Sequence, residues 1–267
     1  MSIYKRFIYD NYLRPSRLNL YSRLMDTLKD KGYQCYTIDD FNTIINNKTV
    51  LPNKVLLLRH DVDTDPKTAW LIAKIEHEHG YHGTYYFRIR TANEKYINLI
   101  SEMGHEVSYH YEEIGTYAKK HKLRTKEQVY NHLQEIRSIF IQDLNMFREK
   151  YHLQCRTIAS HGEWINAHYL HVRNLELIDD CIRKEHGIEL EAYDEKYMKF
   201  FINARISDLG TPLWNPYPVE DAVINEEPFI YILIHPRQWY SRWSCNFIAD
   251  MERLYETIKY KIKFKLN

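Results

Sequence analysis

The chain has 267 residues, of which 44% are hydrophobic and 27% are charged, and its formal net charge is +1 at pH 7. This length and composition fit a single globular α/β domain, and the balanced charge argues against a nucleic-acid partner, because such proteins usually carry a basic excess. The sequence contains no run of eighteen apolar residues, so no membrane span is predicted. No apolar signal segment follows the N-terminal charges, and the predicted location is the cytoplasm. Three lysines among residues 260–267 are interpreted as part of a frayed C-terminal tail.

Short apolar runs alternate with longer amphipathic segments along the chain. In chain order, the spacing of apolar residues predicts a helix over 16–31, a shorter helix over 39–46, a strand over 55–58, a helix over 66–79, a strand over 82–88, a helix over 93–103, a strand over 106–110 followed by a loop, a long helix over 125–151, a strand over 157–159, a helix over 174–185, strands over 199–206 and 229–234, and a final helix over 244–263. This alternation predicts a parallel sheet or barrel with helices outside it.

Polar side chains that can bind a metal follow several of these predicted strands. Ligands of such folds bind at the carboxyl ends of the strands, so these side chains are expected to converge at one mouth of the barrel. Carboxylates and imidazoles meeting at one point are typical of a divalent metal site, and zinc is the predicted ion. The residues concerned are Asp61, Asp63, His110, His161 and His235, and the cationic Arg88 stands at the end of one further strand.

Asp61 and Asp63 have the spacing that puts two side chains on one side of an extended segment. One of the two can bind the metal while the other acts as a base toward water. The competing interpretation is a solvated Asp-x-Asp turn that caps the helix beginning at Pro66. The three strand-ending histidines, His110, His161 and His235, favour the functional interpretation.

Three segments, taken together and in order, resemble the motifs of a known family. They are 57–63 (Leu-Leu-Arg-His-Asp-Val-Asp), 104–110 (Gly-His-Glu-Val-Ser-Tyr-His) and 232–236 (Ile-Leu-Ile-His-Pro). They are similar to the motifs of polysaccharide deacetylases, the NodB-homology enzymes of carbohydrate esterase family four. The resemblance implies a distorted (β/α) barrel with about seven parallel strands and helices outside. The resemblance spans roughly residues 54–240. We expect one domain over 1–267, with an N-terminal helical extension (1–53) packed on the barrel, a motif-bearing core (54–240) and a C-terminal helix (241–267).

The family's residue roles carry over to matching positions of this chain. The resemblance implies that Asp61 is the catalytic base and that Asp63 and His110 bind the metal. It further implies that His235 protonates the leaving amine and that Asp208 orients this histidine. At one further position, Trp239 is a candidate for lining the acyl pocket.

The chain departs from the family at the second metal histidine, which in the family follows the first by four residues. Here that position is Ile114, which cannot bind a metal. His161 is the predicted replacement, and Glu112 and Glu113 are the alternatives. The family's usual arginine is also missing near His161, so either Arg88 or Arg59 is expected to supply the charge that lowers the pKa of Asp61.

The activity implied is a metal-dependent hydrolase that removes an N-acyl group, in the first instance acetyl, from an amino sugar during surface polysaccharide biosynthesis. Its expected substrate is a small-molecule or lipid-linked amino sugar. One alternative is a glycan-binding barrel without catalysis, which the isoleucine at position 114 favours. Another is an amide or formyl hydrolase acting on a different kind of substrate. The sequence predicts no oligomeric state.

Overall fold

The computed structural model describes residues 3–209 and 213–262. Seven parallel strands form a curled sheet in the order β6-β5-β4-β3-β2-β8-β7, and an eighth strand, β1, pairs with the start of β2. This architecture confirms the predicted distorted (β/α) barrel. The strands are β1 (Gln34–Tyr36), β2 (Val55–Val62), β3 (Thr84–Phe87), β4 (Glu106–Tyr111), β5 (Thr157–Ser160), β6 (Leu190–Glu191), β7 (Arg205–Ser207) and β8 (Phe229–Ile234).

Twelve α-helices are seen in the described residues, and several of them cover the outer face of the sheet. Their bounds are α1 (Ile3–Ile8), α2 (Leu18–Asp30), α3 (Ile38–Asn46), α4 (Pro66–Glu78), α5 (Glu94–Glu102), α6 (Glu113–His121), α7 (Lys126–Asn131), α8 (Leu133–Tyr151), α9 (Asp180–Glu185), α10 (Glu195–Met198), α11 (Val219–Ile224) and α12 (Trp243–Ile262). Local chemistry sets their ends. Helix α4, for example, begins at Pro66, and the Asp65 carboxylate caps it by accepting from the amides of Lys67 and Thr68.

Strand β2 is buried along its whole length, because its two faces pack against different layers. Leu57, Arg59 and Asp61 face the inside of the barrel, whereas Leu58 and His60 face the helices outside. Because paired residues of neighbouring parallel strands point to the same side, the other strands also have an inner and an outer face. The inner-face partners are Asp61 with Tyr86, Tyr86 with Ser108, and His110 with Ala159.

A second polar group is buried on the outer side of the sheet. We call it the outer cluster: Glu76, His60, His105, Tyr21 and Tyr85. The Glu76 carboxylate accepts hydrogen bonds from the hydroxyls of Tyr21 and Tyr85, the latter at 2.7 Å, and lies 2.8 Å from His60 Nε2. Burial raises the pKa of Glu76, but His60 and His105 lower it by more, so it lies below its ordinary value. A fully buried carboxylate is thus provided with partners on both oxygens.

Several predicted elements are corrected by the structure. The loop predicted after β4 is helix α6, which buries Ile114, Tyr117 and Ala118 at helical spacing. The long helix predicted over 125–151 is two helices, because the backbone at His132 leaves the helical region. The helix predicted over 174–185 is a 3₁₀ turn at Asn174–Leu177 followed by α9.

The remaining corrections concern strands. The strand predicted over 199–206 forms only at Arg205–Ser207, and Lys199–Phe201 is a 3₁₀ turn. A short buried apolar run does not distinguish a strand from a helical turn. Strands β1 and β6 were not predicted, because three and two residues are too few to show a pattern. The N-terminal extension is therefore not purely helical, since β1 joins the sheet.

Two predictions extend past the part of the chain that the structure describes. The last helix is predicted to end at Lys263, and α12 is described up to Ile262. The predicted frayed tail also lies mostly outside the described residues, which end at position 262. Among the described helices, none combines the length and the apolar character that crossing a lipid bilayer requires.

Candidate active site

Strand β2 carries Arg59 and Asp61 on the same inner face, two residues apart. The Arg59 guanidinium donates two hydrogen bonds to the Asp61 carboxylate, Nε to Oδ1 at 2.7 Å and Nη2 to Oδ2 at 2.9 Å. Burial raises the pKa of Asp61, but the charges of Arg59 and of two nearby histidines lower it by more, to about 2. Asp61 is therefore an ionised carboxylate held in one orientation at neutral pH.

The charge beside Asp61 comes from Arg59 and not from Arg88, which corrects one of the two predictions for this role. Arg59 precedes Asp61 on the same strand face, so its guanidinium reaches the carboxylate directly. Arg88 follows β3 and pairs instead with the carboxylates of Glu112 and Glu163. The predicted catalytic role of Arg88 beside Asp61 is thus not supported by its ion pairs, which are made with Glu112 and Glu163.

Asp63, His110 and His161 form what we call the inner cluster. His110 comes from β4, and His161 follows β5. The Asp63 Oδ1 atom lies 3.5 Å from His110 Nε2 and 3.3 Å from His161 Nε2. This oxygen is buried and accepts no hydrogen bond from the described residues. The structure thus brings together the three residues that the sequence predicted as metal ligands.

The orientation of the two imidazoles leaves their Nε2 atoms facing Asp63. His110 Nδ1 donates to the carbonyl oxygen of Ala159 at 2.9 Å, which directs Nε2 toward the carboxylates of Asp61 and Asp63. His161 Nδ1 points the other way, 3.5 Å from Glu112 and 3.8 Å from Glu163. Burial, and then the charge of nearby cations, hold the pKa of His161 well below its ordinary value. A neutral imidazole such as that of His161 is a suitable metal ligand.

The spacing of these donor atoms fits a divalent metal. A tetrahedral zinc ion has bonds of about 2.0–2.2 Å to nitrogen and oxygen, so its ligand atoms lie roughly 3.3–3.5 Å apart. The separations of Asp63 Oδ1 from the two histidine nitrogens fall in this range. One carboxylate and two imidazoles leave further coordination positions open, as catalytic zinc sites do.

A second group of potential ligands shares His161 with the inner cluster and contains Glu112 and Glu163. Two cations already neutralise these carboxylates, because Arg88 contacts both of them and Lys119 lies 3.3 Å from Glu163. We therefore assign no metal to this group. Its two carboxylates face Nδ1 of His161, which is the position from which acidic groups orient metal-binding histidines.

Two of the positions considered as metal ligands lie away from the inner cluster. The side chain of Ile114 is fully buried in the apolar core between sheet and helices. The carboxylate of Glu113 accepts a hydrogen bond from the hydroxyl of Tyr109 at 2.5 Å, and Tyr109 points to the outer face of β4. Burial raises the pKa of Glu113 to about 8. His161 is the alternative that the structure places beside Asp63.

His235 lies at the end of β8 and is held by Asp208. The Asp208 carboxylate lies 2.7 Å from His235 Nδ1 and accepts from the His235 amide at 2.7 Å. The indole Nε1 of Trp239 also donates to Asp208, at 3.0 Å. Burial lowers the pKa of His235, but Asp208 and the charges of Asp61 and Asp63 raise it by more, to about 9. His235 is thus a cation at neutral pH, with Nε2 free of the Asp208 contact.

A cavity of about 420 Å³ opens beside the inner cluster, with Asp63 and His161 in its wall. Arg90, Glu163 and Arg253 also line it. Sequence reasoning did not single out these three residues. Glu163 follows His161 by two residues, which was a usable signal, whereas Arg253 belongs to the distant helix α12 and gave none.

No family model and no curated protein matches the sequence. Among solved structures, the fold is similar to that of a Streptococcus pyogenes deacetylase, PplD, in complex with acetate. The two chains are 12% identical, the match covers 71% of this chain and 76% of that chain, and the TM-score is 0.44.

A second solved structure with a similar fold is a mutant of BA3943, described as a pseudoenzyme of the CE4 family with restored enzymatic activity. The identity is 13%, the match covers 76% of this chain and 65% of that chain, and the TM-score is 0.40. At such identities a likeness describes the fold, and an activity has to be argued from the side chains of the site.

Proposed function

We propose that this protein is a metal-dependent hydrolase that removes an N-acyl group, acetyl in the first instance, from an amino sugar. The observation that carries the proposal is the inner cluster. Asp63 Oδ1 is buried, accepts no hydrogen bond from residues 3–209 and 213–262, and lies 3.3 and 3.5 Å from the Nε2 atoms of two histidines. A bound cation would satisfy this oxygen, which is otherwise costly to bury.

Asp63, His110 and His161 would hold the ion, most suitably zinc. When bound, such an ion supplies Lewis acidity, which polarises an acyl carbonyl and lowers the pKa of water. Asp61 is the base that accepts the proton of the attacking water. Its two hydrogen bonds from Arg59 fix the carboxylate in position and keep it ionised, so it is ready to accept this proton.

His235 is the acid that completes the cleavage. An unprotonated amine anion is a poor leaving group, so the amide nitrogen has to be protonated as the carbon–nitrogen bond breaks. Asp208 holds Nδ1 of His235 and raises its pKa, so that Nε2 carries a proton at neutral pH. Donation of this proton to the nitrogen releases the free amino sugar and the carboxylic acid.

The proposed substrate class follows from the motif resemblance and is compatible with the cavity. A cavity of about 420 Å³ is in the range of small-molecule sites. Arg253 gives it a cationic group for phosphate or hydroxyl oxygens of an activated or lipid-linked amino sugar, whereas Arg90 is paired with Glu252 and Glu256. Surface polysaccharide biosynthesis is the corresponding process that we propose.

A glycan-binding barrel without catalysis is the second candidate function. It is favoured by the isoleucine at position 114, where the family has a metal histidine. Such a protein would have no need of an ionised Asp61 beside a protonated His235. The two candidates differ in one measurable property, because only the hydrolase requires the metal.

Metal content of the purified protein tests the proposal. We expect about one zinc ion per chain after incubation with zinc, measured by inductively coupled plasma mass spectrometry. The variant His161→Ala should lose the ion, because one of three protein ligands is removed. His171→Ala is the matched control, since His171 is exposed in the neighbouring cavity and should leave the metal content unchanged.

Circular dichroism of both variants establishes that they are folded. A wild-type chain that takes up neither zinc nor cobalt nor nickel would overturn the hydrolase proposal and favour the glycan-binding barrel. Metal that stays bound in a folded His161→Ala variant would show that this histidine is not the replacement for the missing ligand.

A further inference from the structure

Helix α12 has its polar face turned toward the protein. Asn246 is fully buried and donates from Nδ2 to the carbonyl oxygen of Asn11 at 2.6 Å. Asp250 pairs with Arg237 and accepts from the hydroxyl of Tyr12. Polar contacts attach the first part of the helix to the barrel, and Tyr260, buried against the rings of Trp164 and Tyr169, attaches its end. A surface helix more usually turns a mainly apolar face to the core.

The opposite face of α12 is apolar and exposed. Seven large side chains on it have exposed fractions between 43% and 66%. Large contiguous apolar surfaces of this kind mark interaction sites in folded proteins. We call these seven residues the α12 stripe: Trp243, Phe247, Ile248, Met251, Leu254, Tyr255 and Ile258.

The spacing of the stripe is that of a helix made to pack against another helix. Phe247, Met251, Leu254 and Ile258 are four, three and four residues apart, which is the a/d pattern of paired helices. Ile248 and its equivalent one heptad later, at position 255, widen the seam as in helical bundles. We propose that a second copy of this chain covers the stripe, so that the two α12 helices pack together in a symmetric dimer.

The exposed area is sufficient for such a dimer. About half of each of seven large side chains is exposed, which amounts to on the order of 700 Å² at roughly 200 Å² per side chain. A stable interface of standard size buries about 800 Å² on each partner. Two-fold symmetry lets one patch serve as its own complement, so a single apolar stripe is enough.

The charges of α12 favour a second copy over a lipid surface. Three acidic residues (Asp250, Glu252, Glu256) balance three basic residues (Arg253, Lys259, Lys261) along the helix. Helices that lie on membranes usually have a polar face rich in lysine and arginine, which attracts anionic lipids. An electrically balanced helix lacks this attraction and is better suited to contact with protein.

The dimer would form behind the wall of the candidate active site. Ala249, Arg253 and Glu256 line the 420 Å³ cavity from the inner side of the same helix. Residues of the stripe do not appear in that wall. Loss of the dimer is therefore expected to leave metal binding intact, and the failure of this inference can be distinguished from failure of the proposed hydrolase.

Light scattering of the full chain after size-exclusion chromatography tests the inference. The wild-type protein should have twice the chain mass of 32.5 kDa. The double variant Phe247→Glu/Leu254→Glu should have the mass of one chain, with dimer affinity weakened at least about 100-fold, because two charges would enter an apolar seam. Ile202→Glu/Ile224→Glu is the matched control, since both residues are exposed elsewhere on the surface and should leave the dimer intact.

Two results would overturn the inference. One is a wild-type chain that has the mass of a monomer at concentrations up to about 100 µM, where even weak dimers form. In that case flotation with vesicles of phosphatidylcholine and phosphatidylglycerol decides whether lipid covers the stripe instead. The other is a dimer that persists in the folded Phe247→Glu/Leu254→Glu variant, which would place the interface on another surface.

Discussion

The inner and outer clusters each combine one carboxylate with two histidines, and strands β2 and β4 or their flanks contribute to both. The inner cluster joins Asp63 to two histidines beside a cavity, and its Oδ1 atom accepts no hydrogen bond from the described residues. The outer cluster surrounds Glu76 with two tyrosine hydroxyls and a histidine, all buried. Similar residue types thus form two sites that differ in whether the carboxylate oxygens have hydrogen-bond partners.

The difference lies in whether the carboxylate is already satisfied. In the outer cluster, His105 accepts from the Gly83 amide through Nδ1 and lies 2.9 Å from the carbonyl of Ala73 through Nε2, so neither nitrogen is available to an ion. Burial lowers the pKa of His105 to about 4. Both oxygens of Glu76 accept hydrogen bonds, whereas Asp63 Oδ1 accepts none from the described residues, so the unpartnered carboxylate oxygen is what distinguishes the candidate metal site.

The largest expected effect is on the inner face. Asp61→Asn should reduce kcat by roughly 10²- to 10⁴-fold, because the general base is lost. Zinc content should remain near that of the wild type, since Asp61 is not one of the proposed ligands. Steady-state kinetics with an N-acetyl amino sugar and metal analysis of the same sample provide the measurement.

Asp63→Asn is the companion variant, which should lose both the metal and the activity. Because Asp61→Asn leaves the buried Arg59 without its ion pair, its fold has to be verified by circular dichroism. Full activity in a folded Asp61→Asn variant would contradict the assignment of the base.

The second largest expected effect is a difference in the free energy of unfolding when the carboxylate of each cluster is removed. Glu76→Ala should lower the free energy of unfolding by about 3–5 kcal/mol, because it leaves two tyrosine hydroxyls and His60 buried without their partner. Asp63→Ala should change it by less than about 1 kcal/mol in the presence of a chelator, since no hydrogen bond is lost. Urea unfolding in EDTA measures both. Equal losses would mean that the inner cluster is a structural site as well.

The smallest of the three expected effects is a change in the pH dependence of kcat/KM, which follows the protonation of His235. The alkaline limb of kcat/KM should lie near pH 9, the pKa of His235, and Asp208→Asn should move it toward the ordinary histidine value of about 6.5. At pH 8 this shift corresponds to a loss of roughly 30-fold, because the protonated fraction falls. Trp239→Phe removes the indole donor to Asp208 but keeps the carboxylate beside His235, so it should move the limb less.

The raised pKa of His235 also makes the free energy of unfolding depend on pH, and it predicts that stability falls as the pH rises. Protonated His235 stabilises the folded state fully below about pH 6.5, and this contribution is lost as the pH rises toward about 9. Asp208→Asn should therefore flatten the fall in unfolding free energy between these two values. A variant whose rate and stability profiles both match the wild type would contradict the role of Asp208 as the residue that holds the acid.

Much of the fold could be predicted from local sequence patterns. The strands at 55–58 and 229–234 were recognised because a strand buried on both faces is apolar along its length, and the helix at Pro66 because proline favours the first turn of a helix. Elements of two or three residues, such as β6, were missed because they are too short to repeat. Such short strands form because they pair with a neighbouring strand that is distant in sequence, and their own residues do not specify the strand conformation.

By itself, the sequence determined which residue types stand at the strand ends, and therefore that Asp63, His110 and His161 could meet. The tertiary structure alone decided which arginine contacts Asp61 and that His161, the predicted replacement at the place of Ile114, lies beside Asp63. The reason is physical: residue type and strand parity are local properties, whereas the distance between two side chains depends on how the whole sheet curls. The exposed apolar face of α12 likewise became visible only when the burial of each of its side chains was known.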